Sequence, residues 1–298
     1  MNDAPIELSA DVADAVRRRR PVVALETTLV AHGFPAGDGL EVGLEAERRV
    51  REAGAVPATV GVLDGAVRIG LGPEELARFT SEARKAGPRD LAACAVQDAV
   101  GATTVGGTLA ACRSAGIGFM ATGGIGGVHR GDRTDVSADL GELARTEALV
   151  VSSGVKSLLD VPATAELLET LGIPVLGFRT DELPLFFTAF GGPPVSARVE
   201  SAEEAARIAR AHWRLGRHAA LLLANPPPES LEDVEPLIGQ ALAAAEEHGL
   251  TGPQVTPFVL ARLHEASGGR TLEVNRALVL ANATVAAEIA VAYASLTS

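Results

Sequence analysis

Only two lysines occur among the 298 residues, Lys85 and Lys156, so 24 of the 26 Lys and Arg residues are arginine (26 less 2). Arginine stays charged at any accessible pH and cannot act as a neutral amine. Two lysines in such a background mark positions where an amine is required, or are remnants without a role. Lys156 sits in Ser152-Ser-Gly-Val-Lys-Ser157. The small neighbours leave room for a ligand, and partial burial there would favour the neutral amine that forms an imine with a carbonyl. Lys85, in Arg84-Lys-Ala-Gly-Pro-Arg-Asp90, reads as part of a basic loop between helices that contacts a phosphate or another substrate oxygen. Glu26 interrupts the apolar run Pro21-Val-Val-Ala-Leu-Glu-Thr-Thr28. A buried carboxylate is costly unless paired or protonated, so Glu26 is either a general acid/base or half of a buried ion pair.

Thr122-Gly-Gly-Ile-Gly-Gly-Val-His-Arg-Gly131 could bring backbone amides to an anion, helped by His129 and Arg130, or could simply be a tight turn. It lacks the third glycine of a dinucleotide fingerprint, which weakens a reading as a nucleotide-binding oxidoreductase. Asp135-Val-Ser-Ala-Asp139 gathers oxygen ligands suited to a hydrated Mg²⁺ or Mn²⁺. The same residues also describe a helix start capped by Ser137, with acids at its positive end.

These groups need a frame. Strand-length apolar runs at Val22–Thr27, Thr59–Leu63, Thr103–Val105, Gly118–Ala121, Leu149–Ser152, Val175–Phe178 and Ala220–Ala224 alternate with helical patterns. Helices are expected at Leu40–Glu52, Pro73–Ala83, Leu91–Val100, Ser157–Leu171 and Ala202–Leu215, the last opened by Ser201-Ala-Glu-Glu204. From Leu231 onward the chain reads as helical, with breaks at Thr251-Gly-Pro253 and Ser267-Gly-Gly269. The pattern predicts an α/β protein with a mostly parallel or mixed sheet, as one domain over residues 1–298. In such sheets ligands bind beyond the carboxyl ends of the strands, where the glycine-rich segment, Lys156 and Asn225 all fall.

Composition narrows the partners. A net charge of −12 argues against nucleic acid, and Arg17 to Arg20 read as a solvated helix end. Cys94 and Cys112 lack metal-ligand spacing and read as free thiols of a reducing cytosol. No secretory signal is recognised, and no apolar run approaches the roughly 20 residues that span a bilayer. A cytoplasmic location is expected.

The sequence resembles the pseudouridine-5'-phosphate glycosidase family, which includes indigoidine-cluster homologues. The resemblance is carried by Gly54-Ala-Val-Pro-Ala-Thr59, Gly101-Ala-Thr-Thr-Val105, Ala121 to Gly131, Asp135-Val-Ser-Ala-Asp-Leu140 and Thr256-Pro-Phe258. It implies reversible cleavage of the C–C glycosidic bond of pseudouridine 5'-phosphate to uracil and ribose 5-phosphate. It also implies an α/β/α core, a homotrimer and a Mn²⁺ or other divalent ion. Matched by position, Lys156 is the expected nucleophile and Glu26 the proton donor. Lys85, Val105, Ser137, Ala138, Asp139, Asn275 and His129 are expected around the substrate, and Asp135 at the metal. Two departures stand out: Pro88-Arg89 replaces an arginine pair before Asp90, and the Arg130–Asp135 segment is shorter than the family pattern. Relatives in antibiotic pathways run the reaction in reverse, attaching ribose 5-phosphate to an aromatic polyketide, and that alternative remains open. So does a non-catalytic binding homologue.

Overall fold

The computed structural model describes residues 6–35, 37–131, 133–231, 233–250 and 255–297. The break at Thr251-Gly-Pro253 and the side chains of Thr256 and Pro257 lie outside the described residues. The strands in chain order are β1 (Ile6–Leu8), β2 (Val22–Glu26), β3 (Val56–Leu63), β4 (Ala66–Ile69), β5 (Arg84–Ala86), β6 (Gly101–Thr103), β7 (Phe119–Ala121), β8 (Val128–His129), β9 (Leu149–Ser152), β10 (Leu159–Asp160), β11 (Val175–Phe178), β12 (Ala197–Val199) and β13 (Leu221–Ala224).

One sheet takes the order β1-β4-β3-β2-β7-β9-β13-β11-β12, with β6 added to β3 and β5 to β6; β8 and β10 form a separate pair. Among the described residues, only the β3–β4 and β3–β6 ladders of the large sheet are antiparallel. The central strands β2, β9, β11 and β13 are buried along their whole length. That is why they read as continuous apolar runs rather than alternating ones. Helices cover the sheet, giving the three-layer α/β/α architecture. Helix Arg270–Thr297 lies over β2, β7 and β9 and packs on helices Asp38–Glu52 and Ala202–Arg214; helix Val105–Ala115 packs on helix Ala138–Leu143 and touches β2, β3 and β4.

The expected strands at Val22, Leu149 and Val175 recur with at most one residue's difference at an end. Other boundaries move for local reasons. Helix Pro73–Leu76 is a single turn, and its neighbour Leu91–Val96 is also short. Thr104 is an N-cap whose hydroxyl accepts from the Gly107 amide, so Val105 opens a helix instead of ending a strand. Lys85 lies on β5, in register with Ala102, and not in a loop between helices. The helical stretch Arg270–Leu296 contains an 18-residue window of mean hydropathy 1.7 and is, by length and composition, able to cross a bilayer, contrary to the sequence reading. Its apolar residues Val274, Leu278, Val279, Ala283, Ala286, Ala287, Ile289 and Ala290 are spent on the core.

Candidate active site

The carboxyl ends of β2, β7 and β9 open into a cavity of about 480 Å³. Its lining includes Glu26, Lys85, Thr122, Gly123, Gly124, Lys156 and Asn275, with His32, Phe186 and Leu260. Glu26 is the last residue of β2 and is 6% exposed. The Thr122 hydroxyl, just past β7, donates to Glu26 Oε1. Oε2 is buried and has no hydrogen-bond partner among the described residues. Burial pushes the Glu26 pKa above the ordinary carboxylate range and Asp139 adds to this, while Lys156, the Thr122 hydroxyl and Lys85 act against it. Glu26 therefore holds its proton to higher pH than an ordinary glutamate.

Lys156 is fixed by its backbone. Past the strand ends, the glycine-rich segment and the 153–156 segment run side by side. Ser153 donates to the Gly123 carbonyl (2.9 Å), Ile125 to Gly154 (3.0 Å), and Lys156 to Ile125 (3.1 Å). The Lys156 carbonyl accepts from the Leu159 amide at 3.0 Å. Both peptide groups of Lys156 are thus held, while its amine has no carboxylate within 4.0 Å among the described residues. Lys85 likewise has no ion pair among the described residues. The surrounding walls push the Lys85 ammonium below the usual lysine range and the Lys156 charge contributes, against Asp139, Glu26 and Asp135. Although its surface is open to the cavity, that opening is ringed by protein.

Several participants escaped the sequence reading. The His32 ring is held by the Ala83 carbonyl at 3.0 Å; burial lowers its pKa, helped by Lys85 and opposed by that bond. Phe186 adopts φ = 65°, rare for a bulky residue, and its ring closes on Gly124, where a Cβ would lie 2.6 Å from Phe186 Cδ2. Fully buried Asn282, on the C-terminal helix, donates to the Thr122 carbonyl (2.8 Å) and the Ser153 hydroxyl (3.2 Å) and accepts from Asn225 Nδ2 (2.9 Å). It ties together the ends of β7, β9 and β13. Two turns earlier, Asn275 reaches the cavity and donates to the Gly33 carbonyl at 3.2 Å.

The remaining expected residues stand beside the cavity, not in its lining. Val105 is fully buried at the start of its helix. Ser137 caps helix Ala138–Leu143, and Ala138 is exposed. Asp139 is 4% exposed, and its two oxygens accept from the Gly106 amide (2.8 Å) and the Gly126 amide (2.9 Å). The glycine-rich segment is therefore clamped rather than open to an anion: the Ile125, Gly126 and Val128 amides are already bonded. A Cβ at Gly126 would fall 2.2 Å from Ser137 Oγ, so glycine is needed there for close packing. Arg130 is turned away from the cavity, toward backbone carbonyls.

Asp135 and His129 are neighbours, with Nδ1 and Oδ2 3.8 Å apart, and the Asp135 side chain is 43% exposed. Among the described residues no cluster of three or more His, Cys, Asp or Glu side chains could enclose a metal. One open carboxylate suits a hard cation that keeps most of its water, which is how Mg²⁺-like ions are commonly held.

Residues 11–292 match the family described as Indigoidine synthase A like protein. The chain is 46% identical to the pseudouridine-5'-phosphate glycosidase of Sorangium cellulosum, covering 98% of this chain and 94% of that protein. It is 49% identical to the protein of that name from Streptomyces griseus, over 96% and 92%. Among solved structures, the prealnumycin C-glycosynthase AlnA in complex with ribulose 5-phosphate superposes with a TM-score of 0.89 at 39% identity, over 99% of both chains. An indigoidine synthase A-like protein of Thermotoga maritima superposes with a TM-score of 0.88 at 39% identity, over 98% of this chain and 97% of the other.

Proposed function

The chain belongs to the indigoidine synthase A like family, and from that premise we propose that it is an enzyme that breaks or forms the C–C bond between C1' of ribose 5-phosphate and a ring carbon, the substrate being pseudouridine 5'-phosphate. The observation that carries this reading is one cavity holding both lysines of the chain, neither ion-paired among the described residues, beside a buried carboxyl whose pKa is raised.

A C-glycoside has no leaving heteroatom to protonate, so the paired-carboxylate route of ordinary glycosidases does not serve. Taken in the synthetic direction, the Lys156 amine condenses with the open-chain C1' aldehyde, releasing one water. The nucleophilic carbon of the base then attacks C1', and the electron pair moves onto the imine nitrogen. Displacement of the amine by the sugar ring hydroxyl closes the ring and regenerates Lys156. Cleavage is the reverse. Glu26 gives and takes the proton at the ring oxygen or the base, a role suited to a carboxyl whose burial raises its pKa above the ordinary glutamate range.

Lys85 is assigned to a substrate oxygen, with the Val105 helix start and Ser137-Ala138-Asp139 flanking the phosphate, His129 nearby and Asn275 at the base. Asp135 would hold a hydrated divalent cation, manganese by family resemblance. Such an ion would supply positive charge toward the substrate through its waters. A cytoplasmic homotrimer completes the proposal. AlnA's likeness favours one second reading, an aromatic acceptor in place of uracil. The experiment is incubation with pseudouridine 5'-phosphate, with separate borohydride trapping of ribose 5-phosphate. Uracil release with a reduced pentose phosphate on Lys156 supports the first reading. Trapping without uracil release selects the second, and no trapping, or trapping that survives Lys156→Ala, refutes the imine.

A further inference from the structure

We propose that Arg130 is a positioning residue for Lys156, setting the amine's approach to the sugar aldehyde from behind the cavity wall; this rests on the imine reading above. Its Nη2 donates to the Ser157 carbonyl at 2.7 Å and its Nε to the Leu159 carbonyl at 3.1 Å. Both carbonyls belong to the turn that leaves Lys156, closed by the Leu159 amide on the Lys156 carbonyl. A helix begins only at Val161, so no intrahelical bond would otherwise occupy these two carbonyls. The guanidinium is held from its outer side by Glu235, with Nη1 and Oε1 2.5 Å apart.

The planar fork of arginine fits this task, since one rigid group spans two carbonyls and a carboxylate, which a lysine ammonium cannot do. The strand-like ladder to Ile125 fixes Lys156 on its amino side. On the carboxyl side Arg130 acts beside the β8–β10 pairing, which sets Leu159 opposite His129, and no other side chain bonds the Ser157 or Leu159 carbonyl among the described residues. Arg130 is no part of the reacting cavity. With Ser157, Leu159 and Glu235 it lines a second cavity of about 520 Å³ on the other side of the segment. A guanidinium ion from solution can therefore reach the place an alanine would vacate.

The test is the rate of borohydride-trappable adduct formation from ribose 5-phosphate in wild type and Arg130→Ala, with and without millimolar guanidinium. A displacement of about 1 Å in a reacting group costs roughly 100-fold in rate. Arg130→Ala is therefore expected to slow adduct formation by about that factor, with little change in the ribose 5-phosphate concentration at half saturation. Guanidinium, but not an equal concentration of sodium, should restore much of the rate. Arg130→Lys, which keeps the charge facing Glu235 but cannot span both carbonyls, should be slow and folded, and it decides the matter if the alanine variant fails to fold. A wild-type rate in the folded variant, or a loss that tracks the unfolded fraction and ignores guanidinium, overturns the role. No adduct on wild type overturns the imine reading itself, and the positioning role with it.

Discussion

Asp139→Asn separates a clamp from a mere surface acid, because it changes one atom and one charge without changing shape. The wild-type carboxylate accepts from two buried amides, of Gly106 at the start of helix Val105–Ala115 and of Gly126 in the glycine-rich segment. Hydrogen bonds to a charged acceptor are each worth about 1.5–3 kcal/mol. The asparagine keeps one neutral bond, worth about 1 kcal/mol, and turns an NH₂ toward the other amide, leaving a buried donor unsatisfied. The expected loss is about 3–5 kcal/mol, read as a lower midpoint in urea at unchanged m-value.

The same substitution has an electrostatic consequence of fixed sign. Asp139 raises the pKa of both Glu26 and Lys85. Removing its charge lets Glu26 ionise more readily, so activity that needs protonated Glu26 is lost at lower pH as pH rises. The alkaline limb of kcat/KM attributed to Glu26 should therefore move down the pH scale. A stability change below about 1 kcal/mol would refute the clamp. A limb that stays in place or moves up would refute the electrostatic assignment.

Gly124→Ala must push the Phe186 ring aside, since the new Cβ would lie 2.6 Å from Cδ2; a loss of about 1–3 kcal/mol in urea denaturation and reduced turnover are expected. Asn282→Ala leaves the Thr122 carbonyl and Asn225 Nδ2 without their partner, and should cost about 2–4 kcal/mol while lowering kcat more than it changes KM. Asp135→Ala should abolish the response of activity to added manganese and weaken manganese binding in calorimetry; full wild-type turnover in chelator would count against the metal assignment. Glu26→Gln removes a group whose folded pKa is raised. The wild type loses stability as pH climbs from the ordinary glutamate pKa through the raised one, and the glutamine variant should lack that loss in urea midpoints taken across pH.

Three residues of the candidate site stood out by type alone. Two lysines in an arginine background and one carboxylate in an apolar strand were visible as anomalies, and the cavity gathers all three. The frame was legible where burial makes a strand uniformly apolar, as at Leu149–Ser152 and Val175–Phe178. Asn282 carried the same signal as Glu26, a polar residue in an apolar run, but helical spacing hides such a residue among neighbours on other faces.

Only the tertiary structure could decide what each polar atom faces. Asp139 and Arg130 have the composition of an anion or metal site. The fold instead spends one on the Gly106 and Gly126 amides and the other on the Ser157 and Leu159 carbonyls. Phe186 carried no sequence signal, because its left-handed backbone and its seat on Gly124 come from the loop packed around it. Residue type determines which chemistry a side chain can perform. Partners from distant parts of the chain, joined only when the strand ends converge, determine whether that side chain is free to perform it.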